Sequence, residues 1–197
     1  MPTYTKLAWA NMSALRSREF KCGFCGNQVA STTGYFAQEV GGPGAELIVC
    51  HLCTRPTLFE KDGRYPAVAF GGSVTGIPEK AVSDLYEEAR RATGAGAYTA
   101  AVLCCRKLLM HIAVVKGAAP GLGFINYVEH LAEKNYIPPE AKSWVDQIRA
   151  KSNEANHEIT MMSQADAEEL VEFSEMLLKV IFEFPAAIKQ RQTKAST

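Results

Sequence analysis

From Pro78 onward, apolar side chains return every three or four residues, and the pattern keeps that period for about a hundred positions. It predicts five helices. The first runs from Pro78 to about Thr93, apolar at Ala81, Val82, Leu85, Tyr86 and Ala89, and stops at Gly94-Ala-Gly96. Pro78 suits a first turn, where its missing N–H would have no partner anyway. The second runs from Ala97 to Lys116, with Ala101, Val102, Cys105, Leu108, Leu109 and Ile112 facing inward. The third, Phe124 to Lys134, is short and is followed by Pro138-Pro139.

The fourth helix covers Ala141 to His157, with Trp144, Val145, Ile148 and Ala155 on its apolar side. Ser163 with Asp166 three residues on reads as a cap that starts the fifth. Its inward stripe is Leu170, Phe173, Leu177, Val180, Ile181 and Phe184, and it is expected to end near Pro185. Lys189 to Thr197 is polar, and residues 186–197 read as a flexible tail.

Ahead of this region the texture differs. Residues 1–18 suggest a short helix running to Arg18, and residues 19–70 break into β-prone pieces: Glu19–Cys22, Gly34–Val40, Glu46–Cys50 and Thr57–Glu60. Gly41-Gly-Pro-Gly44 and Asp62-Gly63 mark turns between them. Residues 71–77, with Gly71-Gly72-Ser73 and Thr75-Gly76, read as a linker. The predicted class is therefore α+β, a small β module followed by an all-α bundle over 78–185.

Composition adds limits. Apolar residues make up 47% of 197 positions, enough for ordinary globular cores. The longest apolar run, Ala97 to Val115, is interrupted by Arg106, Lys107 and His111. With no signal-peptide pattern at the front, the expectation is a cytoplasmic protein without membrane contact. Charges balance at 21 basic and 21 acidic, so nucleic-acid contact would need a local patch rather than a global field. Lys21, Arg55, Lys61 and Arg64 could form one such modest basic face, or simply a solvated surface.

The strongest chemical signal is a pair of Cys-x-x-Cys motifs, Cys22-Gly-Phe-Cys25 and Cys50-His-Leu-Cys53, with 24 residues between them. Two residues between thiolates let both sulfurs of one turn reach one ion, and two such turns complete a tetrahedral shell for Zn²⁺. A four-cysteine zinc ribbon is the expectation, with an iron–sulfur cluster or a redox dithiol as alternatives. Four sulfurs leave no open position, so such a zinc folds the segment rather than catalysing. His51 lies inside the second motif and is either an exposed residue or a substitute ligand. The adjacent Cys104 and Cys105 read as small apolar residues of a helix.

A second constellation lies on the predicted fourth helix, where Arg149, Asn153 and His157 stand four apart on one stripe. Three uses are open. The stripe can be a set of structural or interface polar residues, a phosphate-binding groove, or part of a ribonuclease site.

Several phrases in order resemble a known family: Ile77–Ala89, Gly96–Leu109, Ile148-Arg149 through Asn153-Glu-Ala-Asn-His157, and Ser163–Leu170. Together they are similar to the HEPN-like helical domain of unknown function found in bacteria and phages, alone, behind zinc ribbons or beside restriction and defence enzymes. The resemblance implies a helical bundle that dimerises through the face bearing the fourth helix. Catalytic relatives in the wider superfamily are metal-independent ribonucleases, in which a His moves a proton and an Arg steadies the phosphate. Carried over, His157 and Asn153 match the His and the polar residue, while the Arg position falls on Ser152, leaving Lys151 and Arg149 as the nearby cations. The expectation is a non-catalytic, zinc-binding, HEPN-like accessory protein that forms a homodimer, with RNA, DNA or a protein as partner. The alternatives are a ribonuclease using His157 with Arg149 or Lys151, and a protein-only adaptor.

Overall fold

The structure is a computed structural model that describes residues 5–38, 44–61, 63–138, 141, 144 and 161–195. The chain divides into two compact units, Met1–Ala69 and Phe70–Thr197, each with its own core.

The first unit is one antiparallel sheet in the order β1-β2-β3-β4-β5, so every strand pairs with its neighbours in sequence. The strands are β1 (Ser13–Lys21), β2 (Gln28–Ala37), β3 (Ala45–Val49), β4 (Pro56–Glu60) and β5 (Gly63–Tyr65). The expected helix running to Arg18 is absent, because Ser13 to Lys21 is a strand. A central β2 rich in Val, Thr and Tyr needs a partner on its other edge, and that long-range pairing outweighs the weak helical preference of the segment. The register shifts between Ala14 and Arg18, a bulge that bends this edge strand. The other β-prone pieces become β2, β3 and β4, with β2 starting earlier than expected, and β5 had no sequence signal of its own.

The core of this unit is small. Phe20, Val29 and Ile48 pack with Cys22, Cys50 and Cys53, and Phe59 meets Phe20 edge to face at 5.2 Å. The Arg18 guanidinium lies 4.5 Å from the centre of the Phe59 ring and pairs with Glu46 at 2.7 Å. So few bulky apolar groups seldom hold a sheet of this size together without a staple.

The second unit is helical: α1 (Lys80–Gly94), α2 (Tyr98–Val115), α3 (Phe124–Glu133), α4 (Gln164–Leu178) and α5 (Phe184–Ala195). α2 is the central helix, packed against α1, α3 and α4. By length and composition it could cross a membrane, yet its inward residues Ala101, Val102, Cys105, Leu108, Leu109 and Ile112 form the middle of the bundle core. The Ser163–Asp166 capping box opens α4 as the sequence indicated.

Between α4 and α5 the chain makes a π-turn, Lys179–Glu183, and continues as helix instead of stopping near Pro185. Proline lacks the N–H for a regular i→i−4 bond and crowds the carbonyl four residues back; a widened turn just before it relieves that crowding. The turn also adds residues to the helical cycle, which changes the phase of the apolar stripe. Ile181 is still buried, but Phe184 is 53% exposed. Ala81, expected inward on α1, is exposed as well.

Residues 71–77, expected as a linker, are instead bound to the bundle. Arg90 Nε donates to the Phe70 carbonyl at 2.9 Å and its Nη2 to the Gly71 carbonyl at 2.7 Å. The Tyr86 hydroxyl donates to the Gly72 carbonyl at 2.8 Å, and the Gly72 N–H donates to Glu175 Oε2 at 2.7 Å. Farther on, the Thr75 N–H donates to Glu183 Oε2 at 2.7 Å. Of the helix expected over 141–157, only Ala141 and Trp144 are among the described residues, and Trp144 meets Phe173 edge to face at 5.4 Å.

Candidate metal centre

Each Cys-x-x-Cys motif folds into the same hairpin tip. In the first, the Gly26 N–H donates to the Cys22 carbonyl at 2.8 Å and the Cys22 N–H to the Asn27 carbonyl at 2.9 Å. In the second, the Thr54 N–H donates to the Cys50 carbonyl at 2.8 Å and the Cys50 N–H to the Arg55 carbonyl at 3.0 Å. The residue after each second cysteine is left-handed, Gly26 at φ 71° and Thr54 at φ 57°. Glycine takes that conformation freely; for threonine it costs about 1–2 kcal/mol.

These turns bring all four sulfurs together. Cys22, Cys25, Cys50 and Cys53 have their Sγ atoms within 4.8 Å of one another. Cys22 Sγ is 3.7 Å from Cys53 Sγ, and Cys25 Sγ is 3.9 Å from Cys50 Sγ. A sulfur tetrahedron with metal–sulfur bonds of about 2.3 Å has edges of about 3.8 Å, so two opposite edges already have the length one four-coordinate ion requires. The distances are far from the roughly 2.05 Å of a disulfide, and all four cysteines are free.

The electrostatics disfavour four charged thiolates here without a cation among them. Burial raises the Cys22 thiol and pushes Cys53 up to about 12. At Cys25 burial also acts upward, but the backbone and side-chain N–H groups of Asn27, with the thiols of Cys22 and Cys53, outweigh it and bring the group down to about 7. Four thiolates cannot share this volume unless an ion displaces their protons, and a divalent cation does that outright. The donor set therefore fits a tetrahedral thiophilic metal, zinc or iron by its chemistry.

His51 is exposed and outside the sulfur cluster, its Nδ1 lying 3.5 Å from Ser31 Oγ. Of the expected basic face, Lys21 and Lys61 are exposed, while Arg64 turns its Nη1 onto the Lys21 carbonyl at 3.4 Å.

Two contributors escaped the sequence reading. The segment before β1 lies on the second tip: the Leu7 N–H donates to Thr54 Oγ1 at 2.7 Å, and Trp9 Nε1 donates to the Thr54 carbonyl at 2.8 Å. The available signal was that Thr54 occupies the place Gly26 holds in the first motif. The other belongs to the helical unit and not to this site: the polar set beneath the glycine strap, where Arg90, only 8% exposed, pairs with Glu87 at 2.7 Å.

The other sequence candidates have bland surroundings or lie elsewhere. Arg149, Lys151, Asn153 and His157 are outside the described residues. The Arg106 guanidinium lies 4.6 Å from the centre of the Phe124 ring, and burial lowers its pKa. His111 reaches Glu79 at 3.0 Å, and His130 Nε2 is 3.2 Å from the Lys116 carbonyl. Burial pushes Cys105 up to about 12 and raises Cys104, with Glu88 adding to the latter.

Fold and site together define a two-part protein, an antiparallel sheet carrying a four-cysteine cluster that could hold a metal ion, followed in the chain by a helical domain. Residues 87–196 match the family described as Domain of unknown function (DUF4145), and since that match spans over half of the chain, the chain belongs to this family. The matched region contains most of α1 and everything after it, and leaves out the four clustered cysteines. Comparison with curated proteins and with solved structures found no match.

Proposed function

We propose that this chain is a non-catalytic accessory protein in which a four-cysteine zinc ribbon docks onto a nucleic acid or a protein partner. The helical domain then supplies a homodimerising, HEPN-like body, and the setting is phage or anti-phage defence. The observation that carries the reading is the closed sulfur set: four thiolates fill every position of a tetrahedral ion, so the metal has no site for water or substrate. Zinc is the proposed ion because it prefers this geometry and undergoes no redox chemistry.

The test has three parts on the full chain. Elemental analysis is expected to return one zinc per chain, and iron in its place would overturn the metal assignment. Light scattering is expected to give twice the chain mass. Labelled RNA is expected to bind with an affinity that falls steeply with salt, as phosphate contacts require, and to stay uncut. Cleavage that disappears in His157→Ala would replace the accessory reading with a ribonuclease. Absence of RNA and DNA binding at low salt would leave the protein-docking form alone.

A further inference from the structure

The two metal-binding tips share a backbone pattern but not their surroundings. At the first tip a side chain placed at Gly26 would meet nothing within 4 Å, while one at Gly23 would sit 2.5 Å from the Pro66 carbonyl and 2.8 Å from that of Ala67, so this tip is covered on its Gly23 side only. The second carries the segment before β1. Thr54 receives the Leu7 N–H on its hydroxyl and the Trp9 indole N–H on its carbonyl, while the same hydroxyl donates to the Cys53 carbonyl at 2.7 Å. Two further contacts hold the segment down: the Tyr35 hydroxyl donates to the Ala10 carbonyl, and the Trp9 and Tyr35 rings lie 6.1 Å apart, tilted by 57°.

Glycine would fit the left-handed position better than threonine. Threonine there makes physical sense because its hydroxyl ties the peptide of a metal ligand to the incoming arm.

We propose that residues 5–12 are a latch on the metal site: the arm holds the second tip in its ligating shape, and metal occupancy in turn holds the arm. The proposal rests on the metal reading above. Thr54 follows the ligand Cys53 directly, and its own N–H donates to the carbonyl of the ligand Cys50. Both acceptors used by the arm therefore sit on the turn that Cys50 and Cys53 must keep in order to converge on one ion. Once the ion leaves, the buried thiols no longer fix the turn, the left-handed threonine relaxes, and both arm contacts are lost together. Linkage makes the effect mutual: whatever factor the ion adds to arm closure, the arm adds to ion affinity.

The test uses the full chain loaded with Co²⁺, whose thiolate absorption reports occupancy directly, and a chelator titration to measure affinity. Trp9→Phe keeps a ring against Tyr35 but removes the indole donor, and is expected to weaken metal binding about fivefold, the worth of one hydrogen bond. Removing residues 1–11 is expected to weaken it about tenfold or more. In the loaded Trp9→Phe protein, tryptic cleavage after Lys6 is expected to speed up several-fold while the cobalt spectrum keeps its tetrahedral thiolate bands. Faster cleavage with unchanged metal affinity in both variants would make the arm mere covering and overturn the latch. So would unchanged cleavage and unchanged affinity. Failure of the unaltered chain to bind Co²⁺ or Zn²⁺ at all is a different result, which removes the metal reading and the latch with it.

Discussion

The Gly72 N–H donates to Glu175 Oε2 at 2.7 Å, joining the strap before α1 to the last turn of α4 across 103 positions of sequence. Three donors converge on that carboxylate, since Lys179 Nζ reaches Oε1 and the Tyr86 hydroxyl lies 3.4 Å from Oε2. The bundle thus begins at Phe70.

Gly72 leaves room for the Glu175 carboxylate. A Cβ at this position would sit 2.6 Å from Glu175 Oε1 and 3.2 Å from its Cδ, so Gly72→Ala must push the carboxylate off the strap. Because the displaced group is the end of a flexible, half-buried side chain, the expected loss is that of one hydrogen bond to a charged acceptor, about 1 kcal/mol. Urea denaturation followed through the helical signal measures it.

The pH dependence of the helical unit should carry the mark of Glu175. Burial acts to raise this carboxyl, but hydrogen bonds from Lys179, the Gly72 N–H and Tyr86, together with the Lys179 charge, prevail and hold it below its ordinary value. A depressed carboxyl stabilises the fold fully above its unfolded pKa, about 4.3, and loses that contribution as pH falls through the lower folded value. The stability gap between the unaltered chain and Glu175→Gln is therefore expected to be constant from neutral pH to about pH 5 and to narrow below about pH 4. A gap that widened on acidification would contradict the assignment.

Arg90 is nearly buried, and its donors go to two strap carbonyls and the Glu87 carboxylate. Arg90→Ala leaves those acceptors without the donors they now have, and a loss of about 3 kcal/mol is expected. Arg90→Lys should recover less than half, because an ammonium cannot reproduce the planar fork that spans Phe70, Gly71 and Glu87. Thermal unfolding of the three proteins side by side tests both statements.

Cys22→Ser and Cys53→Ser each remove a buried ligand. Metal affinity should fall by more than about 100-fold, beyond what loss of an outer contact does. The sheet signal should be lost at temperatures where the helical signal persists, since the two units have separate cores. Circular dichroism with metal analysis decides it. Acid should act in the same direction, because protons compete for the thiolates that bind the ion.

Much of this architecture was readable in advance for a local reason. Helices with strong 3.6-residue stripes announce themselves, so the buried set of α2 and the Ser163 cap lay where the pattern put them. Elements that depend on distant partners did not. β1 exists because β2 needs an edge, and α5 continues past Pro185 because a π-turn makes room for the ring. The strap looked like a linker because its glycines, read locally, signal freedom, whereas their contacts with Tyr86, Arg90 and Glu175 lie 14 to 103 residues away.

By itself the sequence determined which four cysteines gather into one candidate metal site. Two thiols at fixed short spacing, repeated once, can converge on one ion whatever the intervening chain does, so residue type and spacing sufficed. Only the tertiary structure decided what surrounds that site and where the helical unit starts. Hydrogen bonds such as Trp9 to Thr54 or Gly72 to Glu175 depend on through-space proximity, which no periodicity along the chain records.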